Sequence, residues 1–392
     1  MASTTRPKHV PARAVGIKDI ANAAGVSIGT VDRALHDKPG INPLTRARVL
    51  SMAESLGYRP NLAARHLKSP RTFRIAVHLP REIALFWDTL RDGILEAAAP
   101  YEPSIHVEFG VYPRLGEGDV PLFKAALERE VNGLIIAPGD PVALRPWIRR
   151  AAKQNVPVVC VVTDAPGTER LTSVSADPFT VGAVAGEMLS RFLPAGGSIA
   201  FFTGWLGTQD HADKLRGFEA NLRAGPGGVS LAAVVEAHDE ERVGYRRALN
   251  ILKANPRLKG IYVSTVNSEP VLDAVREMGR QHDLIVVTTD LFPALVSWIR
   301  AGSVAATIYQ RPLSQGREAL RAMRDFLVDG TYPSPRIKVV PHVVMRSNLD
   351  LILERLPVDL EAPDAPSAAL QFSARAKRTS PTEPLDSLEP ML

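Results

Sequence analysis

From Phe73 onward the chain alternates strand-like and helical stretches, and this alternation restricts its fold more than any other feature. Strand-like runs fall at Phe73–Leu79, Ile105–Tyr112, Gly133–Ala137, Pro157–Val162, Ser198–Thr203, Gly260–Ser264, Leu284–Thr288 and Ser303–Tyr309. Helical stretches separate most of them, among them Phe86–Ala99, Pro141–Gln154, Val181–Phe192, Asp213–Leu222, Gly244–Ala254 and Glu269–Met278. Strands joined through helices run parallel, and a parallel sheet needs helices on both faces. Eight or more strands exceed one comfortable core, so the pattern predicts two similar α/β lobes.

The first seventy residues have a different texture. Ile17, Ile20, Ala21 and Ala24 recur at helical spacing until Gly25. Ser27 is placed to cap a second helix whose Val31, Ala34 and Leu35 face inward. His36-Asp37-Lys38-Pro39-Gly40 reads as a turn. Asn42-Pro43 then opens a third helix, with Val49, Ala53 and Leu56 on one face until Gly57. Three short helices, the first two joined by a tight glycine turn, make a helix-turn-helix unit. The charge is divided to match. Residues 1–72 hold twelve basic residues and four acids, a net +8, whereas the whole chain is +5, so the remainder is −3. A small basic head on a slightly acidic body is the asymmetry expected of a part that meets a polyanion.

Several function classes are excluded or disfavoured. No run approaches the length of a membrane span, and the polar, Pro-containing start has no apolar stretch resembling a secretory signal, so a cytoplasmic protein is expected. The single cysteine, Cys160, lies within Val158–Val162 and is expected to be buried and inert. Neither a phosphate-cradling glycine loop nor an HExxH string occurs, and His78, His211, His238 and His342 lack metal-ligand spacing. No catalysis, cofactor or metal is therefore expected. A solute-binding protein without a regulatory role remains an alternative, opposed by the basic head.

Read in order, Ile17-Lys18-Asp19-Ile20-Ala21, Ala24-Gly25-Val26-Ser27, Thr30-Val31, Arg33-Ala34-Leu35, Thr45-Arg46 and Leu56-Gly57-Tyr58-Arg59-Pro60-Asn61 form one string, continued by Ala64-Arg65-His66-Leu67. This string resembles the head of LacI/GalR-family transcriptional regulators, and the two-lobed remainder is similar to periplasmic sugar-binding proteins. The resemblance implies a leader (1–16), an all-α helix-turn-helix DNA-binding domain (17–59) and a hinge helix with linker (60–72). A two-lobed α/β effector-binding core (73–356) and a tail (357–392) follow. Its N-lobe is expected at about 73–175 plus 311–338 and its C-lobe at about 176–310 plus 339–356. Leader and tail, polar and without periodicity, are expected to lack packed structure.

In the head the resemblance implies that Ile28, Gly29 and Arg33 face base edges. Arg33 can bind guanine O6 and N7 bidentately, Ile28 can meet a thymine methyl, and Gly29 offers almost nothing. Asp32 stands where the family commonly has a small hydroxyl residue, and either orients Arg33, accepts from cytosine or faces solvent. Ser27, Thr30, Thr45 and Arg46 are candidate phosphate contacts, with Ser27 also an N-cap. Tyr58, Asn61, Ala64 and Leu67 belong to the hinge. Its few residues are too short for a stable isolated helix, so it is expected to fold on DNA against a partner's hinge. Leu67 falls on the family's minor-groove wedge, and Ala64 leaves room for two hinges to cross.

For the core, the resemblance implies a ligand at the carboxyl ends of the strands. Asp140, Asn267, Asp290 and Gln310 fall on positions where related sugar binders hold hydroxyls, and Phe86 with Trp87 resembles a pair that stacks on the ring or simply packs. Ala212 stands where many members place an arginine, which leaves His211, Asp213 or Lys214 to supply that contact. Asp164 and Asp177 are weaker candidates, since acids also cap helices. The expected partners are operator DNA, a second copy of the chain, and a small sugar or polyol, with a purine-type effector as the runner-up.

Overall fold

The computed structural model describes residues 17–35, 39–56, 72–225 and 228–356. The expectations for leader, hinge and tail, and for the turn at 36–38, lie outside these residues. The chain divides into two compact units, Met1–Thr72 and Phe73–Leu392.

In the first unit, α1 (Ile17–Ala24), α2 (Ile28–Leu35) and α3 (Pro43–Ser55) enclose a small core. Ile20, Ala21, Ala24, Val31, Ala34, Val49 and Ala53 are buried together, the inward face that the spacing predicts, although Leu56, expected on it at the end of α3, is exposed. Between α1 and α2, Gly25 has φ +64°, the left-handed conformation that lets the chain turn within three residues. The Ser27 hydroxyl accepts from the Thr30 N–H at 3.1 Å, capping α2. Asn42 Oδ1 accepts from the Leu44 N–H at 2.9 Å at the start of α3. A Cβ at Gly25 meets open space, so Gly25→Ala tests backbone strain alone. The expected cost is about 1–2 kcal/mol, read as faster amide exchange in α1 and α2 of the full chain. Unchanged protection would mean that the turn does not hold this unit together.

The second unit contains two six-stranded sheets. One holds β1 (Phe73–Pro80), β2 (Ile105–Tyr112), β3 (Gly133–Ile136), β4 (Val158–Val161), β5 (Thr172–Ser175) and β11 (Arg336–Lys338) in the order β11-β5-β4-β3-β1-β2. The other holds β6 (Gly197–Thr203), β7 (Val229–Glu236), β8 (Leu258–Val263), β9 (Ile285–Thr289), β10 (Ala306–Tyr309) and β12 (His342–Val344) in the order β12-β10-β9-β8-β6-β7. All pairings are parallel except β10 with β12. The first sheet with its helices is the N-lobe and the second the C-lobe. The chain crosses between them after β5, after β10 and between β11 and β12.

Central strands such as β3 and β4 are buried on both faces, which is why they read as unbroken apolar runs. Edge strand β7 alternates exposed and half-buried residues, and β5, β11 and β12 span only three or four residues. None of these four was expected from the apolar runs. β7 and β12 are buried on at most one face and β11 is held by pairing, whereas β5 is nearly all buried but short and rich in Thr and Ser. The helices are α4 (Ala84–Ala98), α5 (Asp119–Glu128), α6 (Pro141–Lys153), α7 (Pro178–Phe192), α8 (Gln209–Ala224), α9 (Glu241–Ala254), α10 (Glu269–Glu277), α11 (Pro293–Arg300), α12 (Pro312–Asp329) and α13 (Leu349–Leu353). Helices α7 and α8 touch backbone to backbone. A Cβ at Gly182 would lie 1.9 Å from the Lys214 carbonyl oxygen, so only glycine lets α8 sit this low on its lobe.

Candidate functional site

The outer side of α2 is open to solvent. With Val31 and Ala34 turned inward, Ile28, Gly29 and Arg33 lie exposed on the outer side of α2. Ile28, 49% exposed, leaves an apolar side chain open on that face, the kind of group a thymine methyl would suit. The Arg33 guanidinium reaches back along the helix, its Nη2 3.8 Å from where a Gly29 side chain would begin. Glycine thus leaves room for that arginine to move. Asp32 is half-buried on the same helix. Ser27 Oγ also bonds Thr30 Oγ1 at 2.9 Å, so both hydroxyls sit at the positive end of α2, where a phosphate is favoured. Thr45 and Arg46 lie half-buried in the first turn of α3. Tyr58, Asn61, Ala64 and Leu67 lie outside the described residues.

In the core, segments just past the carboxyl ends of the strands meet across a cleft between the lobes. Arg114, two residues beyond β2, pairs with Glu240, beyond β7, at 2.6 Å. The Trp205 ring, beyond β6, lies so near Gly116 of the N-lobe that a Cβ there would be 2.4 Å from it. Under this contact is a cavity of about 210 Å³ lined by Glu82, Arg114, Leu115, Trp205, His238, Asp239 and Glu240. Seven of the nine non-glycine residues with positive φ among the described residues follow strand ends on this side: Ile83, Val162, Asp177, His238, Asp239, Asp290 and Arg311. Such backbone is costly and concentrates where a site demands it.

The structure brings several expected residues together on the C-lobe. Asp290 is fully buried, and its two oxygens accept from the Gln310 backbone N–H at 2.7 Å and from Gln310 Nε2 at 2.5 Å. Lys214, also buried, donates to Asp210 at 2.8 Å and to the Ser264 carbonyl at 3.2 Å. His211 Nδ1 lies 3.0 Å from the Thr203 hydroxyl, which accepts from Ser264. Asn267 Nδ2 donates to the Asp239 carbonyl at 2.9 Å.

Other expected residues have structural work. Asp140 caps α6, accepting from the Val142 and Ala143 N–H groups at 3.0 and 2.9 Å. Phe86 and Trp87 are buried in the N-lobe core, edge to face at 5.0 Å. Asp164 is held by Arg170, and Asp177 pairs with Lys338 at 3.1 Å beside a crossover. Asp213 accepts from Gln209 Nε2 and pairs with Arg216, both at 2.7 Å. The sequence reasoning missed Glu82, Arg114, Trp205 and Asp239. All four stand two or three residues past a strand, so the rule that found Asp290 would have found three of them. Asp239 was out of reach because β7 was not recognised.

Burial raises the Asp290 carboxyl to about 6, against the hydrogen bonds from Gln310 and the charge of Lys214. Burial also raises Glu82, to about 7, opposed by the Leu115 N–H and the charge of Arg114 and aided by Asp239 across the cleft. His78 is pushed down to about 4, first by burial and then by Arg129, and burial lowers His211 as well. A raised carboxyl gives stability that is complete below the ordinary carboxylate range and lost as pH rises through its folded value. The histidines act oppositely, their contribution being lost as pH falls below their ordinary value. Glu82→Gln removes one acidic group from this balance. Its melting temperature relative to wild type is expected to climb between about pH 5 and about pH 8. A constant difference across that range would mean that Glu82 does not titrate there.

Comparison with known proteins now gives these sites a frame. The periplasmic binding protein domain family matches residues 75–331, and the lacI family of bacterial regulatory proteins matches residues 16–61. The chain is a LacI-family regulator with a periplasmic-binding-protein core. Catabolite control protein A of Priestia megaterium is 28% identical to this regulator over 253 residues, 64% of this chain and 74% of its own length. The D-allose-binding periplasmic protein of Escherichia coli (strain K12) is 26% identical over 279 residues, 66% of this chain and 88% of its own. GanP, a glucose-galactose binding protein from Geobacillus stearothermophilus, has the same core fold, with TM-score 0.65 at 23% identity over 71% of this chain and 99% of that one. The core of this LacI-family regulator is thus shared with regulators and with binding proteins alike. Its basic head sets it apart from the latter.

Proposed function

We propose that this LacI-family regulator is a cytoplasmic repressor that binds a pseudopalindromic operator as a homodimer and answers to a small sugar or polyol held between its core lobes. One head reads too few base pairs for specificity, and two-fold symmetry doubles the contacts. The observation that carries the effector reading is the interlobe cavity, where residues past the strand ends of both lobes converge beside the Trp205 ring. Carboxylates and amides suit neighbouring hydroxyls, and an indole suits the apolar face of a sugar ring. Glu82 from the N-lobe and Asp239 and Glu240 from the C-lobe bring carboxyl groups to the cavity, and Asp290, Gln310 and Asn267 stand past strand ends of the same C-lobe. A ligand bridging the lobes would favour their closed arrangement, and the hinge that follows the head would read that closure.

A thermal-shift screen of sugars, polyols and nucleobases on the full chain tests the effector. A ligand at one hundred times its dissociation constant adds about 2.7 kcal/mol. Fluorescence anisotropy on a selected operator, with and without each hit, tests the response. Stabilisation by nucleobases and not by sugars or polyols would replace the proposed effector class. A stabilising sugar that leaves operator affinity unchanged would separate binding from control.

A further inference from the structure

The polar groups around the cleft are not balanced in charge. Arg114, the cation that lines the cavity, already has carboxylate partners, and so does Lys214, buried in the C-lobe. Arg114 contacts Glu240 at 2.6 Å and Glu117 at 3.5 Å, and Lys214 is bonded to Asp210 at 2.8 Å. By contrast, Glu82 accepts from the Leu115 backbone N–H at 2.8 Å, and Asp239 accepts from the Thr265 hydroxyl, both neutral donors. Glu82 follows β1 in the N-lobe and Asp239 follows β7 in the C-lobe, so closing the cleft brings two acidic groups to one cavity. Like charges drawn into a partly desolvated space repel unless a cation or a proton joins them. Burial chiefly raises the Glu82 carboxyl, with Asp239 adding to the rise and Arg114 opposing it, so a proton already meets part of that repulsion. The half-buried Trp205 ring lines the same cavity, and an indole face attracts a cation.

We propose that the effector carries an ammonium group, as an amino sugar or aminopolyol does, and that Glu82, Asp239 and the Trp205 ring receive it. The proposal rests on the sugar-or-polyol reading of the cleft and narrows it. The cavity fixes where the ligand sits, and the excess of carboxyl groups around it, Glu82, Asp239 and Glu240 against Arg114, fixes its charge. A neutral sugar offers hydroxyl dipoles to Glu82 and Asp239 and leaves their charge in place. An ammonium group offers up to three donors and cancels charge at the same time.

Isothermal titration calorimetry on the full chain tests this with matched probes: D-glucosamine against D-glucose, D-galactosamine against D-galactose, D-glucamine against D-glucitol, and the N-acetyl forms of the amino sugars. The ammonium member of at least one pair is expected to bind about tenfold tighter than its neutral counterpart, the size of one charge-assisted hydrogen bond. Acetylation, which keeps the ring and removes the charge, is expected to abolish that gain. Glu82→Gln and Asp239→Asn, each checked for cooperative melting of the folded chain without ligand at the pH of the titration, should each bring the ratio close to one. Neutral probes binding as tightly as their amines would overturn the ammonium assignment and leave the sugar reading standing. A preference for amines that survives both substitutions would overturn the role given to these two side chains. Failure of every probe, charged or neutral, would overturn the sugar reading and this proposal with it.

Discussion

Arg33→Ala is expected to weaken binding to a two-half-site operator by roughly 2–6 kcal/mol, because a bidentate arginine–guanine pair contributes about 1–3 kcal/mol and is lost in each half-site. The substitution leaves the head folded. Val31 and Ala34 carry the inward face of α2, and Arg33 is exposed on the other side. Loss of affinity should therefore come with loss of discrimination at one base pair, which binding to single-base operator variants would reveal. Arg46→Ala, if Arg46 meets phosphate, should instead weaken all sequences alike and reduce the salt dependence by about one unit of slope. Full operator discrimination in Arg33→Ala would overturn the proposal that α2 reads the bases.

Asp290→Ala is expected to lower effector affinity by roughly 1–3 kcal/mol or more while leaving operator binding intact. The carboxylate holds Gln310 by its backbone N–H and its side-chain amide, all of it buried. Truncation therefore removes an acceptor for ligand hydroxyls and also leaves two buried donors unpaired. A lower melting temperature should accompany the loss, so Asp290→Asn, which keeps the shape and one acceptor, is the companion variant. Asp140 calls for the same care, since it caps α6. Asp140→Asn retains most of the cap, so a reduced effector affinity in that variant would come from the ligand contact itself. Unchanged calorimetric affinity in both Asp290→Ala and Asp140→Asn would move the effector away from this end of the strands.

What could be read from the residues was local. Helical spacing of Ile20, Ala24, Val31, Ala34 and Val49 set the three helices of the head, and Gly25 and Ser27 marked the turn and the cap. Unbroken apolar runs such as Gly133–Ala137 announced strands buried on both faces, and their alternation with helices implied two lobes. Each of these signals lies within about a dozen residues, the range over which periodicity acts. Edge strand β7 gave a weaker signal, because one side of it stays in water and its pattern is diluted by exposed residues.

Tertiary structure decided which polar residues face the cleft and in what electrical state. Lys214 carries a charge suited to a ligand, yet α8 lies so close to Gly182 that this ammonium is buried against Asp210. Phe86 and Trp87 have the residue types of a stacking pair, while their burial in the N-lobe leaves Trp205 as the aromatic of the cavity. Glu82 and Asp239 stand more than 150 positions apart in the chain, and only the approach of one lobe to the other makes each a neighbour of the other. Short-range patterns record how a segment hides its apolar side. Charge in a cleft depends on what the rest of the chain brings opposite, and no local spacing encodes that.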